Sequence, residues 1–194
     1  MDASVDTKPS LQDLISATEA VSFAHQALGP DPHSEARNIV LNQLNFMPRS
    51  RKELETALAK RHVEPDVAKS VLDRFEEIGM VDDAAYAELL VRSRCNTKRV
   101  SRSVLRQQLR QKGVNQEIIE EALLVVSDAD ELRMAIELVE RKARAMSRLE
   151  PEVRKRRLFG LLARKGYNTS IALRVIQDLE AADFNGAEVM SDLS

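Results

Sequence analysis

Between Glu88 and Glu117 stand eight basic residues, Arg92, Arg94, Lys98, Arg99, Arg102, Arg106, Arg110 and Lys112, and no aspartate or glutamate. Arg102, Arg106 and Arg110 recur every fourth residue, which places them along one side of a helix, opposite the Leu105/Leu109 side. Like charges at that spacing repel by about a few tenths of a kcal/mol per pair. A phosphate or carboxylate on a partner would relieve the repulsion, and the planar guanidinium suits bidentate contact with either. A second basic set follows in Arg154, Lys155, Arg156, Arg157, Arg164 and Lys165, with Arg141, Lys142, Arg144 and Arg148 just before it. A milder one, Arg49, Arg51, Lys52, Lys60 and Arg61, precedes. The chemistry expected of these residues is contact with a polyanion, either DNA phosphates or an acidic protein surface. Only 4% of the chain is aromatic and none of it is Trp, so stacking on single-stranded bases is not indicated. The bland reading is that the charges only solvate helix faces.

Catalytic constellations are thin by comparison. His25, His33 and His62 are scattered, and no metal-spaced Cys/His set or glycine-rich phosphate loop occurs. Helix capping accounts for Asp82-Asp83 without an ion. Cys95, the single cysteine, reads as a half-buried filler, and with no partner for a disulfide it fits a reducing cytoplasm. Met1-Asp-Ala-Ser-Val-Asp6 lacks the basic and apolar regions of a signal peptide, and no run reaches the roughly 18 apolar residues of a membrane span. The expectation is a cytoplasmic monomer that is not an enzyme, with no catalytic residue, cofactor or metal, and no membrane contact.

The segments that carry these bases have helical patterning. Hydrophobic residues make up 43% of 194 positions and charged residues 31%, a balance suited to helices with solvated faces. The net charge is only −2, but six acids against Lys8 fall in residues 1–36 and five acids with no base follow Arg174, so the body between is basic. A pattern recurs at offsets of 51 and 53 residues, anchored on Leu58, Leu109 and Leu162. Leu54, Leu105 and Leu158 precede these anchors by one turn. Arg61, Lys112 and Lys165 follow, then His62, Gly113 and Gly166, then Val63, Val114 and Tyr167. Farther on, Val67, Ile118 and Ile171 align, as do Leu72, Leu123 and Ile176. The glycines read as left-handed ends of a second helix, with His62 standing in their slot. Ser50-Arg-Lys-Glu53 reads as a capping box, Asp82, Asn115 and Asn168 as N-caps, and Pro65 as a first helical residue.

The expected architecture is all-α, an elongated array of three tandem three-helix modules. The boundaries are 36–81, 82–127 and 128–179, flanked by an acidic, partly disordered extension at 1–35 and an acidic tail at 180–194. A loosely docked helix is expected near Leu11–Leu28. First helices are expected at Asp82–Arg94 and about Asp130–Met146, the latter with an apolar stripe of Leu132, Ala135, Ile136 and Val139.

The stretch Gly79-Met-Val-Asp-Asp-Ala-Ala-Tyr-Ala-Glu-Leu-Leu-Val-Arg-Ser-Arg94 resembles the signature of RecX regulatory proteins. So do Pro48-Arg-Ser-Arg-Lys-Glu-Leu54, Leu105-Arg-Gln-Gln-Leu-Arg-Gln-Lys-Gly-Val114 and Leu162-Ala-Arg-Lys-Gly-Tyr167, in the family's order over roughly residues 36–179. Many relatives carry a glycine-rich turn before the second helix of module two, where this chain has Lys98-Arg-Val-Ser101. The resemblance implies a modulator, usually an inhibitor, of the RecA recombinase that binds the RecA–DNA filament. On that reading the contact residues are Arg92, Arg94, Lys98, Arg99, Arg102, Arg106, Arg110, Lys112, Arg154, Lys155, Arg156, Arg157, Arg164 and Lys165. Two alternatives are a general helical DNA-binding module without a recombinase partner, and a helical adaptor whose charge is incidental.

Overall fold

The computed structural model of the protein describes residues 31–191, in which nine helices and no strand occur. The helix expected near Leu11–Leu28 lies outside the described residues. The order is α1 Pro32–Phe46, α2 Arg51–Ala59, α3 Pro65–Glu77, α4 Asp83–Lys98, α5 Arg102–Gln111, α6 Gln116–Leu123, α7 Asp128–Arg144, α8 Pro151–Arg164 and α9 Thr169–Ser191. These form the three expected three-helix domains.

Start and stop signals in the sequence set most of these limits. Asp31 caps α1 and Asp82 caps α4, each accepting two backbone N–H bonds. Ser50 and Glu53 form the reciprocal capping box, both bonds at 3.3 Å. Ser127 and Asp130 form another at the start of α7, two residues ahead of the expected start. Asn115 and Asn168 accept from the N–H groups of Glu117 and Ile171, each at 2.8 Å. Gly79, Gly113 and Gly166 have φ of +71°, +76° and +79°, and His62 takes the same left-handed conformation at +59°. The third helix of the last module does not end where the acidic tail was expected but runs on to Ser191.

Two compact units result, residues 31–48 with Leu54–Met80, and Arg49–Glu53 with the chain from Val81 onward. In the first, α1 packs on α3, and the buried residues are Ala36 and Val40 of α1, Leu54 and Leu58 of α2, and Ala68, Val71, Leu72 and Phe75 of α3. The leucines of α2 are those of the repeat, each essentially without exposure.

The second unit contains two cores that meet on α7. Ala87, Val91, Leu105, Leu109, Ile119 and Leu123 lie in one, and Leu138, Leu158, Leu162, Tyr167, Val175 and Ile176 in the other. Met134 of α7 belongs to the first core, whereas Ala135, Leu138, Val139 and Ala143 belong to the second. This is why the buried stripe of α7 differs from the expected one. A helix flanked by two cores buries a broader arc, so Met134 and Leu138 are enclosed while Leu132 and Ile136 are only partly covered.

The end of α8 also touches the start of α5. The Ser101 N–H donates to the Lys165 carbonyl at 3.0 Å, and the Tyr167 hydroxyl donates to the Arg99 carbonyl at 2.9 Å. Gly166 sits so close that a Cβ there would stand 2.4 Å from Val104 Cγ2 and 2.6 Å from Ser101 Oγ. At Gly79 the same left-handed backbone faces open space. Gly79→Ala is therefore expected to lower stability by about 1 kcal/mol from backbone strain alone. Gly166→Ala should cost about 2 kcal/mol or more, because displaced packing adds to the strain. Urea unfolding of the two variants measures the difference, and equal shifts would show that the close approach carries no cost.

Candidate functional site

The expected ridge on α5 is present as a row but not as a free one. Arg102 and Arg106 flank the buried Leu105/Leu109 seam instead of lying opposite it, and only about a third of each side chain is exposed (34% and 33%). Acids that are remote in sequence reach them. The Arg102 guanidinium pairs with Asp128 and, at 2.9 Å, with Glu131, whose other oxygen accepts the Arg102 N–H at 3.0 Å. Arg106 holds Glu120 bidentately, both bonds at 2.8 Å. Arg110 donates to the Gln116 side chain at 2.9 Å. The local sequence has no acid here, so the repulsion argument anticipated an external anion. The fold supplies carboxylates from α6 and α7 instead.

Glu131 matters most in this arrangement, since it is 7% exposed and faces both the backbone and the side chain of Arg102. Hydrogen bonds donated to Glu131 and Asp128 raise the Arg102 pKa despite the opposing effect of burial. Arg99 adopts φ +44° at the end of α4, and its side chain pairs with Glu137 at 2.8 Å. The thiol of Cys95 is half-buried against the first core, and burial together with Asp130 and Glu131 pushes its pKa up. Its side chain fills space beside that core.

A similar polar cluster stands where Arg49–Glu53 meets α4 and α5. The Ser50 hydroxyl donates to the Lys112 carbonyl at 2.6 Å, and the Arg51 N–H donates to Asp83 at 2.8 Å. Glu53 accepts from the Ser50 N–H, from Lys112 and from Arg49. Burial pushes the Glu53 pKa up, but the bonds from Lys112 and Ser50 outweigh it and hold the carboxylate below its ordinary value. Burial and the Glu53 charge drive the Tyr86 phenol up to about 12.

The remaining candidates divide clearly. Lys155 pairs with Glu180 at 3.1 Å, Arg154 has a partner, and the Lys165 ammonium donates to the Lys98 carbonyl at 2.8 Å. Among the described residues, Arg92, Arg94, Lys98, Arg156, Arg157 and Arg164 form no ion pair. Of the fourteen candidates, then, those most evident from periodicity are the ones the fold employs internally. Glu120, Asp128, Glu131 and Glu137 carried no recognisable signal, because each meets its arginine only through tertiary packing, and Glu53 signalled its capping box but not its pairing with Lys112. Among the described residues, no group of three or more His, Cys, Asp or Glu side chains could hold a metal ion, and no helix is long and apolar enough to cross a membrane.

Comparison with known proteins accounts for this arrangement of modules. Models of the first, second and third three-helix domains of RecX match residues 36–75, 82–123 and 129–176. The chain belongs to the RecX family. It is 40% identical to the regulatory protein RecX of Streptomyces coelicolor, over 84% of this chain and 86% of that one. It is 41% identical to the RecX of Thermobifida fusca, over 82% and 85% of the respective chains. The crystal structure of RecX from Lactobacillus salivarius is similar with a TM-score of 0.68 at 27% identity, covering 78% of this chain and 98% of that one. These relatives are named regulatory proteins, and the three helical domains are common to the family.

Two predictions follow from the clamped charges. Arg102→Ala leaves the buried Glu131 carboxylate without its guanidinium, so unfolding free energy should fall by about 1–3 kcal/mol. Pairing that change with Glu131→Gln should recover part of the loss, and urea denaturation of the four-member cycle measures it. Because the pKa of Glu53 is depressed in the folded state, its stabilising contribution is fully present above the unfolded value near ~4.3. That contribution is lost as pH falls through the folded value. Glu53→Gln should therefore reduce the fall in stability between pH 7 and pH 3, as read from urea midpoints.

Proposed function

We propose that this protein binds RecA and the RecA–DNA filament and modulates RecA, principally by inhibiting ATP hydrolysis, filament growth and strand exchange in DNA recombination and repair. The observation that carries the reading is the match of all three RecX domains in order, together with about 40% identity to proteins named regulatory protein RecX. The modules, bounded at 36–81, 82–127 and 128–179, act together as a cytoplasmic monomer. Within the candidate set the contact falls to the cations that form no ion pair among the described residues, Arg92, Arg94, Lys98, Arg156, Arg157 and Arg164. Arg99, Arg102, Arg106, Arg110, Lys112, Arg154, Lys155 and Lys165 contribute to the positive field while holding the fold. Counterion release makes such contact sensitive to salt.

The experiment is ATP turnover by preformed RecA filaments on single-stranded DNA, titrated with this protein at two salt concentrations. Inhibition is expected well below the concentration at which the protein would coat the DNA. Inhibition only near full coverage, and lost with salt, would instead mean competition for phosphate by a general DNA-binding module. No effect on turnover would overturn the modulator reading.

A further inference from the structure

Lys142, Arg156, Arg157 and Arg164 line one groove of about 430 Å³ between the end of α7 and α8. Its other lining residues are Met146, Gly160 and Leu161, so among the described residues no carboxylate lines it. All four cations are exposed, and none forms an ion pair among the described residues. The contrast with α5 is physical. Arg102 and Arg106 are each satisfied by an acid of the same fold, whereas these four are left facing solvent together.

Helix geometry brings them together. Arg157, Gly160, Leu161 and Arg164 are spaced three and four apart and share one side of α8. Gly160 keeps that side low, since a Cβ there would meet the Arg164 guanidinium at 3.3 Å. The positive field extends beyond the groove. Besides its own burial, the charges of Lys98, Arg141 and Lys142 push the Lys165 pKa down. The helix dipole favours Lys142 in the last turn of α7 but gives Arg156 and Arg157, in the first half of α8, no such support.

We propose that the α7–α8 groove binds the phosphodiester backbone of nucleic acid through Lys142, Arg156, Arg157 and Arg164, without reading base sequence. An extended acidic peptide needs a free strand edge to hold its main chain. Two helical walls provide no edge, so charge must hold the ligand, and a phosphodiester chain supplies charge at regular intervals. The lining has no aromatic ring to stack on bases and no Asn or Gln to read their edges. This inference deepens the filament-binding reading by assigning its DNA contact, but it concerns nucleic acid alone and stands or falls without the recombinase.

The test is fluorescence anisotropy of the full chain with two labelled duplexes of unrelated sequence, across a salt series and with no recombinase present. The wild-type protein should bind both alike. Arg156→Ala/Arg157→Ala/Arg164→Ala should lose about tenfold or more in affinity, and its slope of log affinity against log salt should shrink by about two to three. Lys69→Ala/Arg74→Ala, which removes exposed and internally paired cations of the first unit, should behave as wild type. Circular dichroism melts confirm that each variant is folded. Wild-type affinity and slope in the folded triple variant would overturn the proposal, as would binding of polyglutamate but not duplex through the same arginines. Success here with failure of the ATP-turnover titration would remove the recombinase reading alone.

Discussion

Serine-capped helix starts that receive the end of a later helix are the contact on which the second unit depends. Ser50 donates its hydroxyl to the Lys112 carbonyl, and Ser101 donates its N–H to the Lys165 carbonyl. Both serines are fully buried, and in both places the residue after the lysine is a left-handed glycine. Gly113 lies where a Cβ would stand 2.4 Å from Lys52 Cβ, as Gly166 lies against Val104. One serine thus works in two directions, since it also caps its own helix. The last carbonyls of the docking helix, which have no intrahelical partner, gain one from outside.

The charges are arranged around these contacts. Lys112 reaches Glu53 beside the first, while Arg99, Arg102, Glu131 and Glu137 surround the second. Buried carboxylates such as Glu131 are tolerated only where several donors meet them, and Arg102 offers both its backbone and its side chain. Arg99 shows the same compensation. A left-handed non-glycine backbone is strained, yet its carbonyl accepts from Tyr167 and its side chain is held by Glu137. The Lys98–Ser101 loop is thus fixed by hydrogen bonds and an ion pair.

The consequence for function is a separation of two kinds of basic residue that look alike along the chain. Arg102 and Arg106 of α5 are drawn into the fold by acids of α6 and α7. Those lining the α7–α8 groove form no ion pair among the described residues and keep their charge available to a ligand. A polyanion that displaced the internal acids of α6 and α7 would weaken the packing that holds the second unit.

Local chemistry determined much of this protein before any tertiary contact formed. Helix limits were legible because caps, prolines and left-handed glycines act over three or four residues, and the repeat was legible because each module buries leucines at the same spacing. The family signature over residues 36–179 was legible for the same reason. Tertiary structure alone decided which charges are free. Glu120, Asp128 and Glu131 lie 14, 26 and 29 residues from the arginines they engage, and Glu137 lies 38 from Arg99. No periodicity links such pairs. Likewise the burial of Met134 and Leu138 follows from two cores meeting on α7, which a single helix read by itself does not reveal. The groove at Gly160 arises the same way, because one helix supplies Lys142 and another the three arginines.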